Sequence, residues 1–376
     1  MLDGTMSNVV FIVNGGFESA IGYRARAFAG YLQERFAIQI RYRSRGRLMS
    51  LVLFTSSLVR LRPAVSYVFD MAYSGVLAAI IYKVVARNRL IVETGDAIYA
   101  LSRSLDRGMV GRSFTWLLER VSLLAADAIV VRGTLHQKWL AAQGVAATVI
   151  PDGVDTGTFA LRPGRELRKE LNLDGVMTVG LVGSIVWSQR LQRCYGWELV
   201  EVLKLLRSES LVGVIIGDGS GVSRLMERCK AYGIEDKVRF VGRVRYEELP
   251  SYLSTLDICL STQTNDVVGN VRTTGKLPLY LATGRYVLAS KVGEAGLVLN
   301  DDMLVEYDGV TDEKYPHKLA ERIAALMREP AKLKMGLKNV ELARARFEYR
   351  ILAERMGDLI DGQVSSVSHG KHEPRF

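Results

Sequence analysis

Short, largely apolar runs rich in Val and Ile alternate with longer stretches of helical period, and the alternation occurs in two series. The first series of runs covers residues 8–13, 37–42, 65–69, 89–93, 127–132 and 147–150; the second covers 176–182, 211–216, 237–241, 257–261 and 286–290. Between them, apolar residues recur at three- and four-residue spacing, for example over 23–35, 108–125, 196–207, 222–232 and 317–327. A strand without regular polar alternation is buried on both faces, as in a parallel sheet covered by helices on each side. The pattern predicts an α/β chain of two doubly wound, Rossmann-like domains, and 376 residues suit two domains. Gly153, Gly157, Pro163 and Gly164 punctuate the chain between the series. The expected division is an N-terminal domain over 1–158, a second domain over 159–345, a C-terminal helix over 346–362 and a disordered tail over 363–376. Ligands of open parallel sheets bind at the carboxyl ends of the strands, so two such domains are expected to face a cleft there.

Composition narrows the function classes. Cys194, Cys229 and Cys259 have no CxxC spacing, and four histidines form no ligand cluster, which argues against a disulfide framework and a metal site and for a reduced, cytoplasmic protein. No apolar run reaches the ~18–20 residues of a membrane span; the best, 48–58 and 76–81, are short. The opening MLDGTM has no basic-then-apolar leader, and Met6 is an equally good start. A net charge of +10 favours a polyanion, an anionic membrane or phosphorylated substrates. The charge is concentrated: residues 19–62 hold nine arginines against the single acid Glu34, just where the apolar stretch 48–61 follows. That pairing suits a peripheral surface on the inner face of an anionic membrane, with a merely solvated basic face as the plain alternative. A nucleic-acid partner is not expected, because neither an aromatic-interleaved sheet nor a helix-turn-helix pattern accompanies the arginines.

The loops after the strands carry the candidate site. In 14–32, Gly15 and Gly16 permit close backbone approach, Glu18 follows, and a helix starting near Ile21–Gly22 aims its amides at the cleft. The spacing is not G-x-G-x-x-G, which weakens a nicotinamide dehydrogenase. In 91–104, Glu93 and Asp96 flank a glycine; such a carboxylate positions a hydroxyl or caps a helix. In VIPDGVDTGTF, 149–159, Pro151 and Gly153 make a turn in which Asp152 and Asp155 accept from backbone amides.

This last segment closely resembles the link between the two halves of retaining glycosyltransferases of the GT-B fold, family four. LLERVSLLAADAIVVRGTLHQKWLAAQGV before it, and VGLVGS, VGVIIGDGSG, VRFVGRV and LPSYLSTLDICLS after it, occur in the order that family uses, over nearly the whole chain. The resemblance implies a nucleotide-diphosphate sugar as donor and a hydroxyl of a carbohydrate or lipid-linked acceptor. It implies a hexosyltransferase-type reaction without metal or other cofactor, commonly in polysaccharide or glycoconjugate synthesis, and a final helix crossing back to the first domain. Residue by residue, it assigns the donor to Gly183, Ser184, Arg190, Gly217, Gly219, Gly242, Arg243, Asn270, Arg272, Thr273, Thr274 and Gly275, and the acceptor to Gly15, Gly16 and Glu18. Asp96, Arg193 and Lys276 are the expected catalytic residues, the cations holding the departing phosphate. Front-face attack with that phosphate as base needs no protein nucleophile.

The chain departs from the family at three positions. The usual lysine of the first donor loop is Tyr195, and the two usual glutamates, eight residues apart, fall on Val271 and Leu279. What remains is a Gly/Thr-rich loop with Arg272 and Lys276 before a helix, a pattern suited to phosphate. Asp266 reads more plainly as a loop residue than as a replacement carboxylate, and His136 as a surface histidine. No D-x-D triplet occurs. A sugar-nucleotide-binding protein without catalysis and a sugar-nucleotide epimerase of similar fold stay open.

Overall fold

The computed structural model describes residues 6–44, 46–104 and 108–369, the last four in backbone only. The chain divides into two compact units: Met1–Gly153 with Val271–Thr273 and Tyr349–Phe376, and Val154–Asn270 with Thr274–Glu348. The divisions lie a few residues from the expected 158/159 and 345/346. Gly153 closes the first unit because its Cα lies against the ring of Tyr349; a Cβ there would stand 2.6 Å from that ring.

The first unit is a six-stranded parallel sheet in the order β2-β1-β3-β4-β5-β6. Its strands are β1 (Asn8–Val13), β2 (Ala37–Tyr42), β3 (Val65–Phe69), β4 (Arg89–Thr94), β5 (Ala128–Val131) and β6 (Thr148–Val149). Its helices are α1 (Ala20–Leu32), α2 (Arg47–Leu61), α3 (Tyr73–Ala86), α4 (Ile98–Ser104), α5 (Met109–Ala125) and α6 (Thr134–Ala141). Strand β1 shows why such a run is apolar: Val9, Phe11 and Val13 enter one core with Phe28 and Tyr349, while Val10 and Ile12 enter the other with Phe54, Leu58 and Val76. The apolar stretches 48–58 and 76–81 lie within α2 and α3. The switch point falls between β1 and β3, since Val9 pairs with Ile38 on one side and Val65 on the other.

The second unit contains α7 (Arg165–Glu170), β7 (Met177–Val182), α8 (Trp197–Leu205), β8 (Leu211–Ile216), α9 (Val222–Tyr232), β9 (Val238–Gly242), α10 (Leu249–Leu253) and β10 (Ile258–Ser261). After these come α11 (Val267–Val271), α12 (Lys276–Ala282), β11 (Tyr286–Ser290), α13 (Ala295–Val298), β12 (Leu304–Val305), α14 (Tyr315–Arg328) and α15 (Asn339–Arg346). The parallel order β12-β11-β10-β7-β8-β9 is the doubly wound order of dinucleotide-binding folds, with its switch point between β7 and β10. Strand β12 went unread in the sequence because two residues display no period.

A C-terminal helix was expected over 346–362. The structure instead has a 3₁₀ segment, Pro330–Lys338, then α15, then a break at Phe347 and Glu348. There the Phe347 carbonyl accepts from Val154 N (2.8 Å) and the Glu348 carboxylate from Thr156 N (3.2 Å), which takes that backbone out of the helix. The last helix, α16 (Tyr349–His369), sets Leu352, Met356 and Ile360 into the first unit's core beside α1. The helix runs to His369, past the expected boundary at 363, and Val364 packs against the same core. Residues 370–376 lie outside the described residues.

Candidate functional site

At the carboxyl edge of the second sheet the loops after β7, β8 and β9 are laced together by their backbones. Gly183 N donates to Ile216 O (3.0 Å), Ile185 N to Asp218 O (3.0 Å) and Gly217 N to Gly242 O (2.8 Å). A Cβ on Gly217 would lie 1.9 Å from Gly183 O, and one on Gly219 2.4 Å from Ile185 O. These two glycines therefore let one loop pack on another. Gly242 adopts φ +79° in open space, a conformation that favours glycine.

Tyr195, where the family carries lysine, ties the switch point together. Val182 N donates to the Tyr280 hydroxyl (2.7 Å), that hydroxyl bonds Tyr195, and the Tyr195 hydroxyl donates to Leu260 O (2.8 Å). Burial, above all, pushes both phenols up, so they stay neutral donors. The Lys276 ammonium stands 3.4 Å from the centre of the Tyr195 ring and 3.8 Å from the place a Cβ of Gly183 would take. An ammonium over an aromatic face, beside the Gly183 backbone at the sheet's carboxyl edge, offers charge and direction to a phosphate. Lys276 opens α12, which no side chain caps.

The other predicted residues of this unit divide. Ser184 and Arg190 are exposed, Arg190 on a turn closed by Ser188 N to Arg193 O (2.9 Å). Arg193 does not join Lys276: its guanidinium bonds Glu313 (2.6 Å) and lines a groove with Trp197, Glu201, Arg228 and His317. Arg243 is exposed after β9. Asn270, read as part of the Gly/Thr-rich loop before Lys276, lies in α11. Asp266 bonds Gly269 N (2.8 Å) and the Thr264 hydroxyl (2.9 Å), and Asn270 braces the same turn through Asn265 (3.0 Å). Thr274 and Gly275 lead into α12. Val271 and Leu279 are buried, so neither position offers a polar group.

In the first unit, Asn14 occupies the β1/β3 switch point, donating to Asp70 O (2.7 Å) and accepting from Gly75 N (3.0 Å). Gly15 is required by packing, since a Cβ would meet Ser19 Oγ at 2.5 Å. Gly16 and Glu18 are exposed. The helix begins at Ala20, before the expected Ile21–Gly22, because Ser19 caps it by accepting from Gly22 N (3.1 Å). That cap occupies one of the amides expected to face a ligand.

Glu93 is corrected from a residue at the cleft mouth to a buried one. Arg24 Nε (3.1 Å), Arg132 Nε (2.9 Å) and the Tyr67 hydroxyl (2.8 Å) all donate to its carboxylate. Burial pushes the carboxyl up, but Arg24 first and then Arg132 outweigh it and hold it below its ordinary value. Asp70 joins through Arg132 (2.6 Å). Asp152, expected to accept from amides, stands 3.7 Å from Arg24 and 3.9 Å from Arg132, whereas Asp155 does accept from Gly157 N (3.0 Å) and Thr158 N (2.9 Å). Sequence spacing had no signal for this cluster, whose members come from α1, β3, β4 and the loops after β3, β5 and β6.

Asp96, at the rim of the same region, bonds Arg272 Nε at 2.6 Å, and Thr273 adjoins it in the segment Val271–Thr273 that clusters with this unit. Two predicted site residues, one from each half of the sequence, are thus brought together. His136, expected at the surface, is buried in α6, its Nδ1 without a hydrogen-bond partner among the described residues. Burial lowers it from 6.5 to about 4. Between those values the unfolded chain binds a proton that the folded one refuses, so stability falls as pH drops from 6.5 towards 4. The loss should reach about 3 kcal/mol. Urea melts of wild type and His136→Gln should show a shallower acid limb in the variant; parallel limbs would assign the effect elsewhere.

Residues 178–329 match the family model "Glycosyl transferases group 1". A GDP-mannose-dependent alpha-(1-6)-phosphatidylinositol monomannoside mannosyltransferase of Mycobacterium tuberculosis is 27% identical over 237 residues, 60% of this chain and 59% of that protein. The match therefore spans less than two thirds of that relative. Sucrose-phosphate synthase from Thermosynechococcus elongatus superposes with TM-score 0.75 at 15% identity, covering 96% of this chain and 100% of that one. Anabaena HepE in complex with UDP and glucose gives TM-score 0.72 at 16% identity, covering 95% and 100%. Residues 178–329 thus match the glycosyl transferases group 1 family, and the chain has the GT-B fold of these solved structures.

Proposed function

We propose that this protein transfers a hexose from a nucleotide-diphosphate sugar to a hydroxyl of a carbohydrate or lipid-linked acceptor, with retention, without metal or other cofactor, at the cytoplasmic face of an anionic membrane. The observation that carries this is the Lys276 ammonium over Tyr195 at the β7/β10 switch point of the group 1 domain. Lys276 would hold the diphosphate, with Gly183 and Ser184 beside it and exposed Arg190 as a second cation. As the acceptor oxygen bonds the anomeric carbon, the bond to phosphate breaks, and the hydroxyl proton passes to the departing phosphate. Asp96, with Gly16 and Glu18, would orient the acceptor. Arg193, engaged by Glu313, is left out of this scheme.

Buried Val271 and Leu279 favour a second reading, a sugar-nucleotide-binding protein without catalysis. Melting curves with UDP, GDP, ADP, CMP and NAD, without added metal, separate the outcomes. GDP and UDP come first, because the mannosyltransferase relative depends on GDP-mannose and HepE was solved with UDP. A nucleoside diphosphate at 100 times its Kd should add about 2.7 kcal/mol of stability. Slow release of free sugar from the matching sugar nucleotide supports transfer, and binding without release supports the second reading. Silence from all five ligands overturns both.

A further inference from the structure

Helix α5 is inside out. It buries Thr115, Glu119 and Ser122 around Leu118, and turns Val110, Phe114, Leu117 and Leu124 to solvent, Val110 and Leu124 being 86% and 85% exposed. Neighbouring α2 buries Ser50, Phe54 and Leu58 and exposes Leu48 (74%), Val52 and Val59. Helix α3 buries one flank and exposes Ile81, Val84 and Val85 (78%) on the other. These helices lie together in the first unit: α3 packs against both others, Tyr73 stands edge-on to Phe114 at 6.0 Å, and Arg47 lies 5.9 Å from the Tyr73 ring. Soluble surfaces seldom gather so many large apolar side chains, and such a face marks a partner.

Charge identifies the partner. Neither Arg47–Leu61 nor Tyr73–Ala86 contains an acid, and the one acid of Met109–Ala125, Glu119, is buried. Arg47, Arg60, Arg62, Arg87 and Arg120 are exposed on or at the ends of these helices. A second copy of this face would set cations against cations. An anionic bilayer supplies both an apolar layer and the opposite charge. The helices do not span it: the longest, α5, has 17 residues, about 25 Å against the ~30 Å hydrocarbon layer. Among the described residues no helix is long and apolar enough to cross.

We propose that the outer face of α2, α3 and α5 docks the protein flat in the headgroup region of an anionic lipid bilayer. This deepens the membrane part of the proposed function and rests on it, and it extends the surface from the basic and apolar residues within 19–62 to a three-helix face.

The test is co-sedimentation of the full chain with phosphatidylcholine vesicles, with and without phosphatidylglycerol. Wild type should bind the anionic vesicles, more weakly in high salt. Val85→Glu with Val110→Glu should lower that binding at least about tenfold with an unchanged Tm, since both positions are exposed. Arg60→Glu with Arg120→Glu should abolish the preference for anionic vesicles. Wild type that stays in the supernatant, or apolar-face variants that bind as well as wild type, overturn the proposal. So does a wild-type dimer that the Val85/Val110 variant splits while vesicle binding persists, which makes the face a self-interface. A nucleotide-induced Tm shift in the same preparations separates failures: a shift without vesicle binding sinks only the docking face, and vesicle binding without a shift sinks only the transferase.

Discussion

Glu93→Ala should cost about 3–5 kcal/mol of stability, the loss typical of breaking a buried ion pair from one side. The carboxylate is fully buried and accepts from Arg24, Arg132 and Tyr67. Its removal leaves two guanidinium groups facing a cavity, with Asp70 and Asp152 as the carboxylates still near them. Against a typical total of about 5–15 kcal/mol, that loss is about a fifth or more. The effect is pH-dependent with a definite sign. Because the folded carboxyl is held below its ordinary 4.5, its contribution is present above 4.5 and disappears as pH falls through the lower folded value. Urea denaturation at neutral and acid pH checks both: wild type and variant should converge in acid. A variant within about 1 kcal/mol of wild type at neutral pH would mean the cluster is held by packing and not by charge.

Lys276→Ala should weaken binding of the responsive nucleoside diphosphate by about tenfold to hundredfold, since a charge-assisted hydrogen bond contributes about 1.5–3 kcal/mol. The unliganded Tm should hold or rise slightly, because a cation at a helix N-terminus opposes the helix dipole. Tyr195→Phe provides the control. It keeps the aromatic face under the ammonium but loses the hydroxyl that donates to Leu260 O, so it should lose stability and little affinity. Calorimetric titration reads the affinities. Unchanged binding in Lys276→Ala would place the diphosphate elsewhere, with Arg190 the next residue to replace.

The backbone plan was largely legible in the sequence. Strands such as β1, β3 and β8 bury both faces, and that demand writes itself into consecutive apolar residues. Where an element is short, as β12 is, or where its backbone pairs elsewhere, as at Phe347, no period records it. Candidate site residues were harder. Asp96 lies just after β4, and Lys276 opens α12 with its ammonium near Gly183, just after β7. The contact of Arg193 with Glu313 was not legible, because the two are 120 positions apart in the chain. His136 looked like a surface residue because one histidine in a helical stretch carries no mark of which side the sheet will cover.

The sequence by itself determined two parallel α/β units, the places where their strands end, and the departures at Tyr195, Val271 and Leu279, since periodicity and residue type are local properties. Only the tertiary structure decided which charges are buried together, that Tyr195 supports Lys276, and that α2, α3 and α5 show one apolar, cationic face. Those depend on distances between residues far apart in the chain, which are set when the sheets close and the helices choose the side they cover.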